Sequence, residues 1–259
     1  MNSTDFVTSW HANVELLRDS YSPAQEHDAC GVGLIAALDG KPRRDVVQAG
    51  IDALCAVWHR GAVDADGKTG DGAGIHVEIP QDFFAEAIER GGARARDGRI
   101  AVGMVFLPKT DLPAQERCRQ IVETEILHVG YEIYGWRQVP IDVSCIGEKA
   151  NATRPEIEQI MIRNAPGSDD ATYERDLYVI RRRIEKAAIA AQIPELYICS
   201  LSCRSLIYKG MFLAEHLATF YPDLTDPRFV SRFAIYHQRY STNTFPDLAA
   251  GAAVPRVGA

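Results

Sequence analysis

Cys30 heads the run Cys30-Gly31-Val32-Gly33-Leu34-Ile35-Ala36. A cysteine in an apolar run is ordinarily core filler. As a thiolate, with a base at hand, the same side chain attacks electrophilic carbon. Two later segments carry the other groups such chemistry needs. His59-Arg60-Gly61-Ala62 comes first, and Tyr236-His237-Gln238-Arg239-Tyr240-Ser241-Thr242-Asn243-Thr244-Phe245-Pro246 lies far downstream. A guanidinium meets a carboxylate through two parallel hydrogen bonds, whereas an isolated arginine is by default a surface ion-pair partner. His59 invites reading as the base for Cys30, but a histidine at a helix end is more often structural. Gly67-Lys68-Thr69 imitates a phosphate loop. The position that must be glycine is Ala62, and a helix rather than a strand precedes it, so nucleotide binding is rejected. The glycine-rich stretch through Gly70-Asp71-Gly72 reads instead as a tight loop whose amides Asp71 binds.

These residues need elements to hold them. Cys30 to Leu38 is short, apolar and closed by Asp39-Gly40, which predicts a buried strand. Val47, Ile51, Leu54, Cys55 and Trp58 recur at helical spacing and predict a helix over 44–58. Strands are expected over 72–79, 99–107 and 138–143, and helices over 113–128 and 171–192. Two paired strands are expected over 195–201 and 205–209, and a last one over 232–240. The mixture is α+β, with antiparallel sheets covered by helices.

Composition narrows the class. The 259 residues are 46% hydrophobic with a net charge of −7, enough for one full core and without a basic block for nucleic acid. No apolar stretch approaches a membrane span, and the N-terminus lacks the pattern of a secretory signal. Cysteines stand at 30, 55, 118, 145, 199 and 203 with no Cys-x-x-Cys pair, which argues against a zinc or iron–sulfur site and suits a reducing cytoplasm.

Taken together, Cys30-Gly31-Val32-Gly33, His59-Arg60-Gly61-Ala62, Gly70-Asp71-Gly72-Ala73-Gly74 and the 236–246 segment resemble the class II glutamine amidotransferase domain that opens the large subunit of bacterial glutamate synthase. The resemblance implies an N-terminal-nucleophile hydrolase fold, a four-layer αββα sandwich. It implies a leader over 1–29, removed so that Cys30 becomes the N-terminus and its own α-amine serves as base. An α-amine of pKa about 7.7–8.0 suits that task. It further implies that Arg239 clamps the α-carboxylate of glutamine, that Tyr240, Ser241 and Thr242 add polar contacts, and that Arg60 helps organise the pocket. No cofactor is implied for this chain. FMN and an iron–sulfur cluster are implied for the full-length parent, with a small subunit as its partner.

The resemblance spans about Ser22 to Pro246, giving a partial domain over 30–246 and an out-of-family tail over 247–259. The family continues with Trp-Arg-Leu-Ala-Gln-Pro-Phe-Arg and then Leu-Ala-His-Asn-Gly-Glu, whose Asn and Gly form the oxyanion hole. Here the chain reads Asp247-Leu248-Ala249-Ala250-Gly251-Ala252-Ala253 and ends six residues later. One inserted base in a GC-rich coding sequence reproduces this tail and its terminus, so a frameshift is expected, and with it a fold incomplete at the C-terminus. The alternatives to a working glutaminase are a catalytically inactive fragment and a small amidase with a different oxyanion hole.

Overall fold

Alternation along Ile100 to Leu107 divides the interior in two. All eight residues of this strand are buried. Ile100, Val102, Met104 and Phe106 join one apolar cluster, while Ala101, Val105 and Leu107 join another. The computed structural model describes residues 31–238 except 165, 166 and 168, with five further positions between 8 and 15. Within them lie the strands β1 (Gly31–Ala36), β2 (Thr69–Glu78), β3 (Ile100–Leu107), β4 (Glu132–Gln138), β5 (Glu156–Arg163), β6 (Tyr197–Ser202), β7 (Ser205–Phe212) and β8 (Phe233–Gln238). The α-helices are α1 (Arg44–Ala56), α2 (Gln81–Arg90), α3 (Leu112–His128), α4 (Glu148–Thr153), α5 (Asp170–Ala190) and α6 (Leu217–Phe220). One sheet has the order β1-β8-β2-β7 and the other β4-β5-β3-β6, and every pairing is antiparallel.

The helices start and pack where side chains dictate. Asp111 caps α3 by accepting from the Ala114 amide at 2.9 Å, and Asp169 caps α5 by accepting from the amides of Ala171 and Thr172. Both helices bury one stripe, Cys118, Val122 and Ile126 on α3 and Tyr173, Leu177, Ile180, Ile184 and Ala188 on α5. These stripes close the cluster built on Ala101, Val105 and Leu107. Helix α1 buries Val46, Val47, Ile51 and Leu54 in the other cluster. Its Gly50 permits close approach to β8, because a Cβ there would stand 2.5 Å from that of Ala234.

Several sequence expectations are redrawn. The strand expected over 138–143 is not formed. β4 ends at Gln138, and Val143–Cys145 is a short 3₁₀ turn. Pro140 lies inside the expected run and has no amide for a ladder. β6 and β7 are not partners. β6 pairs with β3 and β7 with β2, so the turn between them carries the chain from one sheet to the other. Glu174 on α5 fixes that corner, accepting from Ser202 Oγ at 2.8 Å and from the Cys203 amide at 2.9 Å. β5 and α2 are further elements without a counterpart in the sequence reading.

Candidate active site

Strand β1 forms a seam with β8, in register from Gly31↔Gln238 to Ala36↔Phe233. On its other side β8 pairs with β2, where Gln238 stands opposite Ala73. Cys30, Arg239, Tyr240, Ser241 and Thr242 lie outside the described residues. Gly31, which follows Cys30 in the chain, and Gln238, which precedes Arg239, are the terminal pair of the seam.

Arg60 is the sequence-flagged residue that the structure describes. Helix α1 ends at Ala56 and the chain tightens into a 3₁₀ turn, Trp58–Arg60, which lies against the start of β1. A Cβ built on Gly31 would stand 3.0 Å from Val57 Cγ2 and 3.3 Å from Arg60 Cβ. The absence of a side chain at 31 is therefore what lets the turn pack beside residue 30's neighbour. His59 and Arg60 are exposed; the Arg60 amide donates to the Val57 carbonyl at 2.9 Å, and the Arg60 guanidinium makes no hydrogen bond or ion pair among the described residues.

The glycine-rich stretch continues from this turn and is pinned at both ends. Asp71 Oδ1 accepts from the Ala62 amide at 3.0 Å, the loop contact expected of Asp71. Val63 bridges Gly70, the Asp64 amide donates to the Thr69 carbonyl at 2.8 Å, and Gly67 takes the left-handed conformation with φ 71°. The Asp66 carboxylate accepts from the Lys68 and Thr69 amides at 3.0 and 2.7 Å and from Thr69 Oγ1 at 2.6 Å. Those bonds, led by the one from the Thr69 hydroxyl, lower its pKa to about 2. Lys149 on α4 adds an ion pair to Asp64 at 2.7 Å. Gly70 and Asp71, expected as loop, belong to the first part of β2 ahead of the strand expected from Gly72, and a register shift between Thr69 and Ala73 marks a bulge there.

Gln238 is the residue that sequence reasoning passed over. It is 1% exposed, and its Oε1 has no hydrogen-bond partner among the described residues. Gly61 packs so closely on its amide that a Cβ there would collide with Gln238 Nε2 and lie 3.3 Å from Asp71 Oδ1. Nothing in the type or spacing of a glutamine before an arginine announces this; it follows from the pairing of β8 with β1 and β2. Among the described residues, a groove of about 690 Å³ is lined by Phe106, Lys109, Arg154 and Tyr197 and includes none of the flagged residues. Among the described residues no group of three or more His, Cys, Asp or Glu is placed to hold a metal ion, and no helix is long and apolar enough to cross a membrane.

The family model for class II glutamine amidotransferases matches residues 30–255, beginning at Cys30 itself. The chain is 68% identical over 243 residues to the large chain of NADPH glutamate synthase from Azospirillum brasilense, covering 93% of this chain and 16% of that protein. It is 44% identical over 223 residues to the chloroplastic ferredoxin-dependent glutamate synthase of Spinacia oleracea, covering 85% and 14%. Against the large chain of NADPH glutamate synthase from Bacillus subtilis the identity is 39% over 227 residues, covering 87% and 15%. The chain thus spans between 14% and 16% of the length of these relatives. With the family match extending over most of its residues, the chain belongs to the class II glutamine amidotransferases.

Proposed function

We propose that the chain is the glutaminase part of a glutamate synthase large chain, hydrolysing glutamine to glutamate and ammonia with Cys30 as nucleophile. The observation that carries this reading is the Gly31–Gln238 pair, which makes Cys30 and Arg239 the chain neighbours of a single register pair of the β1–β8 seam. Two antiparallel sheets with separate helix-backed clusters support the finer fold assignment, an N-terminal-nucleophile hydrolase of four αββα layers.

In this reading the leader 1–29 is removed and the Cys30 α-amine accepts the thiol proton. The thiolate adds to the side-chain carbonyl carbon of glutamine. The tetrahedral adduct collapses, the C–N bond breaks, and the departing nitrogen takes the proton from the ammonium to leave as ammonia. Water, deprotonated by the same amine, then cleaves the thioester to glutamate and restores the thiol. Arg239 holds the α-carboxylate of the substrate, Tyr240, Ser241 and Thr242 supply neighbouring polar contacts, and Arg60 orders the pocket from the turn against Gly31. In a longer protein the ammonia would be used to aminate 2-oxoglutarate in the cytoplasm, with FMN, an iron–sulfur cluster and a small subunit. The described residues do not fit an iron–sulfur cluster, and the glutaminase steps use neither group.

Replacing Cys30 with alanine tests the reading. Glutamine hydrolysis should vanish while ammonia-dependent glutamate formation by the longer protein persists; persistent hydrolysis, or loss of both activities, would overturn it. A second reading, a fragment without activity, is favoured by one observation. Among the described residues β1 is an edge strand and leaves Val32 and Leu34 56% and 62% exposed, an open apolar edge of the kind that favours association over a stable fold. Loss of a single oxyanion donor costs about 10²–10³ in rate. A purified chain with no measurable turnover would favour this second reading.

A further inference from the structure

We propose that Gln238 is a positioning residue whose side-chain oxygen takes a hydrogen bond from the α-amine that heads β1 once residues 1–29 are removed. The inference rests on the glutaminase reading above and deepens it. Gln238 is 1% exposed, yet its Oε1 has no partner among the described residues. A buried amide oxygen without a donor is destabilising, and its presence in a seam beside a reacting terminus calls for a donor that arrives later. The position selects the donor. Gln238 is the register partner of Gly31. The amine of residue 30 is separated from the Gly31 nitrogen only by the carbonyl carbon and α-carbon of that residue.

The amide is also fixed from behind. Gly61 presses on its nitrogen end, and Asp71 Oδ1, held by the Ala62 amide, lies beside the same spot. Neither Gly31 nor Gly61 carries a side chain that could fill the space around the amide. The chemistry of the acceptor fits its task. A neutral amide oxygen orients an N–H without the strong preference for the protonated form that a carboxylate would impose, so the amine remains usable as a base near neutral pH.

The test is the pH dependence of kcat/KM for glutamine in protein processed to Cys30, together with the melting temperature of the unprocessed chain. Gln238→Glu keeps an acceptor but adds charge, and should move the acid limb to higher pH by about one pH unit. Gln238→Met should lower kcat about tenfold with little change in KM, while the unprocessed chain melts no lower than the parent. The same shift should be readable without turnover, from the pH dependence of acylation of the N-terminal amine. An unmoved acid limb in Gln238→Glu, or a lowered melting temperature in Gln238→Met, would remove the role of Gln238 while leaving Cys30-dependent turnover intact. Turnover that survives Cys30→Ala would instead remove the glutaminase reading itself.

Discussion

Arg137 and Asp223 meet in the interior as a two-pronged ion pair, Nη2 to Oδ1 at 2.6 Å and Nη1 to Oδ2 at 2.8 Å. Gln159 Oε1 accepts from the same Arg137 Nη1 at 2.7 Å. Gln159 Nε2 donates to the Tyr208 hydroxyl at 3.1 Å, and that hydroxyl donates to Asp223 Oδ2 at 2.9 Å. β4, β5, β7 and the turn after α6 are thereby joined through one satisfied polar network.

Asp223→Ala should destabilise the chain by about 3–5 kcal/mol, because Arg137 is then left buried without its counter-charge. Urea unfolding measures this. The double variant Arg137→Met/Asp223→Leu should recover much of the loss, since two apolar groups leave no uncompensated charge. A single variant as stable as the parent would show that the pair contributes nothing.

Gly70→Ala should cost more than Gly67→Ala. A Cβ on Gly70 would stand 2.6 Å from the Phe212 carbonyl oxygen and 2.9 Å from the Leu213 nitrogen, so backbone must move. Gly67 has open space around it and is strained only by its φ of 71°, which costs about 1–2 kcal/mol for an L side chain. Melting temperatures in that order support the close approach; the reverse order contradicts it.

Acid should loosen the loop over 63–70 before the cores. Asp66 is held at a pKa of about 2 by bonds from the Thr69 hydroxyl and nearby amides, below its ordinary value of 3.8. A depressed carboxylate stabilises the fold above its unfolded pKa and loses that contribution as pH falls through the folded value. Amide exchange at Lys68 and Thr69 should therefore accelerate between pH 4 and pH 2. Asp66→Asn should already exchange fast at neutral pH, and equal protection in both proteins would exclude the tie.

The thiols should divide sharply on alkylation at pH 8. Burial, then Glu195, raises the pKa of Cys118 to about 11, and burial with the Glu174 hydrogen bond raises that of Cys203 to about 12. Both should stay unmodified in the native chain and react on unfolding. Peptide mass mapping should find Cys30 labelled first in processed protein. Early labelling of Cys118 would show that its helix opens readily.

What the sequence disclosed depended on whether a feature was local. The helices expected over 113–128 and 171–192 are α3 and α5, and the spacing of Val47, Ile51 and Leu54 announced α1. The partnership of β6 with β3 was not legible, since the few residues from Ser202 to Ser205 look like a hairpin turn. The change of sheet there depends on Glu174, from an element far away in the chain. The site shows the same limit. Arg60 stands out beside a glycine, but the burial of Gln238 depends on Gly31, Gly61 and Ala73 arriving from three other segments.

The seam between β1 and β8 joins residues on the order of 200 positions apart, the widest closure in either sheet. Loops that long are entropically the slowest to shut, so this pairing belongs to the end of folding, after the intervening sheet of β3 to β6 is in place. In the proposed reading the chemistry sits at this late-closing seam. If release of the terminal amine requires the seam, a thiol with its base attached can arise only in molecules whose whole intervening chain has already reached its native arrangement. Maturation would then act as a checkpoint on folding.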